Sequence, residues 1–336
     1  KQKFESKKVE TMEGVTCWQK AVGIEKVGLY IPGGTAPLFS TVLMLALPAK
    51  IAGCEEVVLC TPTNKEGKVA AEVLYAAQQC GVTSVYKVGG AQAVAAMAYG
   101  TESVPKVDKI FGPGNRYVTL AKQLVAGRNT SIDMPAGPSE VMVLADESAD
   151  VRFVAADMLS QAEHGRDSQA IVVCSSRAIA EAVEAEVERQ RVLLARAEYV
   201  AESLAHSRAI VFDREEDMIA FAEEYAAEHL IVSMKDAWGV VDRITTAGSV
   251  FVGNYSPESA GDYASGTNHT LPTSGWATAY SGVNLDSYMR KITYQELSQE
   301  GLSALSTTIT TMAEAEGLDA HAAAVRVRIQ NLKNND

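Results

Sequence analysis

The strongest constraint on the fold of this chain is an alternation. Short runs of β-branched residues take turns with longer Ala- and Leu-rich stretches of helical period. The first set of runs is 27-VGLYI-31, 56-EVVLC-60, 84-SVYKV-88 and 108-DKIF-111, and between them lie segments such as 67-GKVAAEVLYAAQQC-80. A second set follows with 140-EVMVLA-145, 170-AIVVC-174, 209-AIVF-212, 230-LIVS-233 and 249-SVFVG-253. Strands that are apolar throughout and separated by helices belong in a parallel sheet covered on both faces. The pattern predicts two α/β domains of Rossmann-like, parallel-sheet type, joined near 133-DMPAGPS-139, with a helical C-terminal tail from about Thr293. The run 181-EAVEAEVERQRVLLARAE-198 reads as a solvated helix face.

A chain of 336 residues accommodates roughly two such domains. The formal net charge of −12 argues against non-specific nucleic-acid binding, which needs a basic surface. The longest apolar stretch, 41-TVLMLALPAKIAG-53, is too short to span a bilayer and contains Pro48, so no membrane partner is expected. The opening residues KQKFESKKVE are polar and carry no secretory signal, and they do not begin with Met. The five cysteines form no C-x-x-C pair, which argues against a thiolate zinc site and for a reducing, cytoplasmic setting. Imidazole chemistry must draw on five histidines: His164, His206, His229, His269 and His321.

In the first half, 32-PGGTAP-37, 89-GGAQA-93 and 112-GPGN-115 each follow a strand run. They would share the carboxyl edge of one parallel sheet, where ligands bind in open α/β folds. No G-x-G-x-x-G occurs, since GPGNRYV lacks the third glycine, so the expected dinucleotide fold is incomplete. In the second half the polar residues fall on the opposite side. Ser139, His164 and the pair Glu228-His229 precede strands and would share an amino edge. The two edges serve one site if they face each other across a cleft. The stretch 158-MLSQAEHG-165 sets Gln161 and His164 three residues apart before Gly165, which reads as a helix stop that puts both side chains in the last turn. Glu228 and His229 offer a carboxylate and an imidazole for proton transfer. A long small-residue loop, 256-SPESAGDYASGTNHTLPTSG-275, holds Asp262 and His269, and 314-EAEGLDAHAAAV-325 sets Glu316 and His321 around a helix break. Taken singly, each pair also fits an ordinary polar surface.

The ordered motifs VGLYIPGGTAPLFSTVLM, KIFGPGN, IDMPAGPSEV, LSQAEHG, EHLI, SPESAGDYASGTNH and GLDAH run through essentially the whole chain. In them the chain resembles the histidinol dehydrogenases, the zinc- and NAD-dependent enzymes that complete histidine biosynthesis. The resemblance implies Gln161, His164 and Asp262 as zinc ligands, with His321 supplied from the other subunit of a homodimer. It implies Glu228 and His229 as the acid–base pair, and Ser139, His269 and Glu316 as further contacts to L-histidinol. The substrate would also touch Gln161, His164, His229, Asp262 and His321. Tyr30, Gln92 and Asn115 match positions that contact NAD, and His206 is left as a surface residue. The implied layout is a remnant of a longer N-terminal segment over 1–26, an NAD-binding domain over 27–137, a zinc and substrate domain over 138–283, and a tail over 284–336 that serves the partner's site.

The implied reaction takes L-histidinol through L-histidinaldehyde to L-histidine with two NAD⁺. A family relative oxidising another primary alcohol is the nearest alternative. A zinc hydrolase would fit the Glu228-His229 pair but would leave the three glycine loops unexplained.

Overall fold

The computed structural model describes residues 2, 4–33, 37–128 and 130–334, so the centre of 32-PGGTAP-37 lies outside the described residues. The chain forms two compact units, one of residues 1–23 with 289–336 and one of residues 24–288.

The first unit opens with β1 (Val9–Met12) and β2 (Val15–Gly23), an antiparallel pair. The second unit holds two five-stranded sheets, parallel throughout among the described residues. Its first half runs β3 (Lys26–Tyr30), α1 (Phe39–Ala52), β4 (Glu56–Cys60), α2 (Ala71–Cys80), β5 (Ser84–Tyr86), α3 (Gly90–Tyr99), β6 (Lys109–Phe111), α4 (Arg116–Ala126) and β7 (Ser131–Ile132). The strand order is β5-β4-β3-β6-β7.

Its second half runs β8 (Glu140–Ala145), α5 (Val151–Ala162), β9 (Gln169–Cys174), α6 (Arg177–Arg191), α7 (Ala197–Leu204), β10 (Arg208–Val211), α8 (Glu215–Tyr225), β11 (His229–Ser233), α9 (Ala237–Val241), β12 (Ser249–Val252) and α10 (Glu258–Tyr263), in the order β10-β9-β8-β11-β12. The first unit closes with β13 (Met289–Leu297), α11 (Gln299–Ala315) and α12 (Asp319–Asn334), and β13 pairs antiparallel with β2.

Strand β8 shows why the apolar runs read as they do. All six of its residues are buried. Val141 and Val143 pack in one cluster with Ala155 of α5 and Val183 of α6. Met142 and Leu144 pack in another with Met218 of α8 and Val240 of α9. Period-two alternation therefore delivers residues to two apolar faces, each worth about 1.5–3 kcal/mol per buried aliphatic side chain. Helix α6 presents a solvated face on an amphipathic helix: Val183 and Val187 are buried, while Arg189 and Arg191 pair with Glu186 and Glu188 one turn earlier.

Three expectations need correction. Helix does not begin at Thr293, because β13 continues to Leu297 and Ser298 then caps α11 by accepting from the Gly301 N–H. The loop after residue 253 contains α10. Gly165 is not a left-handed helix stop: α5 ends at Ala162, and its last turn closes through the His164 N–H to the Gln161 carbonyl at 3.1 Å. Among the described residues no helix is long and apolar enough to cross a membrane.

Candidate active site

At the carboxyl edge of the first sheet the backbone is packed too tightly for side chains. Gly112 follows β6 at φ +122°, and a Cβ there would lie 2.1 Å from the Tyr30 carbonyl oxygen. A Cβ on Gly89 would lie 2.6 Å from the ring of Pro62. These glycines are required by close approach. Tyr30 ends β3, and its hydroxyl accepts the Gly90 N–H at the start of α3 at 3.0 Å. Gln92 sits exposed in the first turn of α3. Asn115 is the N-cap of α4, accepting from the Tyr117 and Val118 N–H groups at 3.1 and 3.2 Å. Beneath these loops Lys122, 1% exposed, binds Asp133 at 2.5 Å and donates to the Gly112 carbonyl at 2.8 Å. The residues predicted to contact a dinucleotide thus share one sheet edge, held by an internal ion pair.

The amino edge of the second sheet is built differently. Helix α8 ends at Tyr225, and the capping Ala226 takes a left-handed conformation (φ 51°) that turns the chain toward β11. Glu228 is therefore not a helix end; it is buried just ahead of His229, the first residue of β11. The backbone of Glu140 in β8 holds both. Its N–H donates to Glu228 Oε2 at 2.9 Å, and its carbonyl faces His229 Nδ1 at 3.3 Å. A carbonyl can only accept, so the proton of the neutral ring belongs on Nδ1 and the lone pair on Nε2. Nε2 is buried without a partner among the described residues, as is Nε2 of His269. Burial lowers the His229 pKa to about 3, aided by His164 and His269, and lowers that of His269 to about 4. His164 keeps 38% of its side-chain surface open, yet crowding around the ring and the nearby Arg196 guanidinium hold its pKa down.

Helix α10 adds two acids one turn apart, Glu258 and Asp262, both buried. One donor atom each from His164, Glu258 and Asp262 lies within 4.8 Å of the others. Glu258 Oε1 is 3.8 Å from His229 Nδ1, and Glu228 Oε2 is 3.6 Å from it. Burial raises the pKa of Glu228 and Glu258 well above the usual carboxylate range, and of Asp262 to about 6, with the neighbouring acids adding to the rise at Glu228 and Glu258. Glu140 is raised too, by burial. A buried group of acids around neutral imidazoles is what a cation would stabilise. Nitrogen and carboxylate donors together suit zinc.

Gln161, fully buried in the last turn of α5, lies against Glu258. Ser139 precedes β8, and its carbonyl accepts the Gln169 N–H at 3.1 Å. His206 is exposed. Glu316 and His321 belong to the other unit, exposed on either side of the α11–α12 turn at Gly317. Sequence reading missed Glu258 and Glu140. The E-x-x-x-D spacing of 258-ESAGD-262 was the available signal, but it speaks only once the segment is known to be helical.

The family model of histidinol dehydrogenase matches residues 1–329. The chain belongs to the histidinol dehydrogenase family. It is 64% identical over 332 residues to a histidinol dehydrogenase of Bacteroides fragilis strain YCH46, covering 99% of this chain and 78% of that protein. The corresponding enzyme of Vibrio parahaemolyticus is 55% identical, with 99% of this chain and 77% of that protein covered. The crystal structure of histidinol dehydrogenase from Elizabethkingia anophelis superposes with a TM-score of 0.95 at 53% identity, covering 99% of this chain and 77% of that one. An indole-3-acetaldehyde dehydrogenase in apo form shares the fold alone, at 17% identity and a TM-score of 0.58. Membership of the histidinol dehydrogenase family makes this chain an oxidoreductase, and the two parallel sheets are its frame.

Proposed function

We propose that the chain catalyses the four-electron oxidation of L-histidinol to L-histidine through L-histidinaldehyde, using two NAD⁺, as the last step of histidine biosynthesis. The reading places Zn²⁺ on Gln161, His164 and Asp262, completed by His321 of the partner subunit in a cytoplasmic homodimer. The observation that carries it is the buried His229, whose Nε2 has no partner among the described residues and whose ring lies 3.8 Å from Glu258, itself clustered with the donors of His164 and Asp262, at the edge where Glu228 is also held. When bound, zinc supplies a fixed point for the substrate's nitrogen donors, and NAD⁺ supplies the electron-pair acceptor.

The chain's own residues move the protons. His229 Nε2 takes the hydroxyl proton of the alcohol, and Nδ1 stays held by the Glu140 carbonyl. The ring accepts that proton most readily when Glu228 or Glu258 is charged, because both lie within 3.8 Å of Nδ1. In the second half-reaction ionised Glu228 takes a proton from the water that adds to the aldehyde, and His229 takes one from the hydrate. Ser139, His269 and the partner's Glu316 complete the substrate contacts, while Tyr30, Gln92 and Asn115 line the NAD side.

The test counts NADH formed per L-histidinol consumed by zinc-loaded protein. Two NADH, abolished by a chelator and restored by zinc, is the expected result. One NADH would remove Glu228 from the hydration step. None, with NAD⁺ still bound, would favour another primary alcohol as substrate.

A further inference from the structure

Glu258 is neither a zinc ligand nor a proton carrier in the assignments above, yet it is 1% exposed and central to the site. It lies on α10 one turn before Asp262, with Oε1 3.9 Å from His164 Nε2. Its best-defined partner is the side-chain amide of Gln161. With Glu258 ionised, as a neighbouring cation would keep it, only one orientation of that amide is chemically sound. With the amide oxygen toward Glu258, acceptor would face acceptor; with the nitrogen toward it, Nε2 donates to Oε1 at 3.1 Å and Oε2 at 3.3 Å. Both residues are buried, so neither can turn to water instead.

We propose that Glu258 is a positioning residue that locks the Gln161 amide, leaving its oxygen rather than its nitrogen available to a cation held with His164 and Asp262. The proposal rests on the zinc reading given above. An amide is a weak donor, and its terminal torsion is broad and roughly two-fold. Unconstrained, it would turn its NH₂ toward the cation in a large share of conformers and repel it. A carboxylate that can accept from that NH₂ group removes those conformers. It performs for glutamine what a second carboxylate performs for a ligating histidine, by fixing which end of the ligand faces the metal. The alternative is that Glu258 is itself a ligand in place of Gln161.

The test measures zinc affinity by competition with a chromophoric chelator, and the visible absorption of the Co²⁺-loaded protein, on full-length variants. Glu258→Ala is expected to weaken zinc binding by roughly 10–100-fold. Glu258→Gln keeps one acceptor oxygen and should fall between it and the parent, with the Co²⁺ bands unmoved because the ligand set is unchanged. The double variant Gln161→Glu/Glu258→Gln reverses the donor and the acceptor and should recover tight binding. Zinc affinity unchanged in both Glu258 variants would overturn the proposal. So would Co²⁺ bands in Glu258→Gln that shift as they do in Asp262→Asn, since that would make Glu258 a ligand. Should Glu258→Ala fail to fold, Glu258→Gln and the reversed pair decide the question alone. His164→Asn separates the two levels. If it keeps full zinc affinity, the zinc site itself is wrong; if it loses zinc while the Glu258 variants do not, only the positioning role falls.

Discussion

The two five-stranded sheets of the larger unit solve opposite electrostatic problems. At the edge of the first, the buried charges are already matched. Lys122 meets Asp133 and the Gly112 carbonyl, and Tyr30 meets the Gly90 N–H. At the edge of the second, Glu140, Glu228, Glu258 and Asp262 are buried, and the contacts described for them are to backbone N–H groups, a tyrosine, an amide and imidazoles. The first edge is complete as folded. The second holds a group of buried acids beside two imidazole Nε2 atoms that have no partner among the described residues. The contrast teaches where preorganisation ends and loading begins. An edge whose buried charges are matched is finished by the chain alone, whereas an edge short of positive charge is one that a cation would stabilise.

The largest expected effect divides the second edge itself. His229→Gln should lower turnover by about 10²–10⁴-fold with zinc content unchanged, whereas His164→Asn should lose zinc. Metal analysis beside steady-state rates checks this, and equal loss of zinc in both variants would break the division of labour.

The next effect belongs to the first edge. Lys122→Met strands Asp133 in the interior and should cost about 3–5 kcal/mol in urea-melt stability. A cost near zero would mean that the internal ion pair does not hold the glycine loops.

A smaller effect follows from pH. Asp157 on α5 is half-buried, and burial raises its pKa from the ordinary 3.8 to about 7. The folded chain then binds more protons than the unfolded one between those values, so Asp157 erodes stability as pH rises through that window. Asp157→Asn should stabilise metal-free protein at pH 8 by about 2 kcal/mol, half the roughly 4 kcal/mol that the whole shift converts to, because the side chain is partly open to solvent. Near pH 3.5 the difference should vanish. A variant less stable than the parent at pH 8 would contradict the sign.

The smallest effect sharpens the comparison. Tyr30→Phe removes one acceptor from the Gly90 N–H, worth about 0.5–1.5 kcal/mol. It should raise KM for NAD⁺ several-fold and leave zinc affinity alone. A change in zinc affinity would mean that the two edges are not independent.

Most of the fold was legible because buried parallel strands print their apolar runs directly into the sequence. The run at 56–60 coincides with β4, and the run at 140–145 with β8. Strand β13 was illegible for the converse reason. Seven of its nine residues are exposed, so MRKITYQEL carries no alternation, and its partner β2 lies more than 260 residues away. The clustering of Ser139, His164, Glu228 and His229 at one amino edge could be read because each lies shortly before a strand run. Glu258 could not, because its meaning depends on a six-residue helix inside a stretch whose composition reads as loop.

Strand order in the second sheet also sets a timetable for biogenesis. Strand β8 is central and emerges first, but the carboxylate that caps its Glu140 N–H arrives 88 residues later. At ribosomal speeds of about 5–20 residues per second that interval is roughly 4–18 s. Through it the nascent sheet lacks β11 and β12, and β8 stands as an open edge beside β9. A pause in translation between residues 145 and 228 would lengthen that exposure, making this the interval in which a chaperone has most to protect.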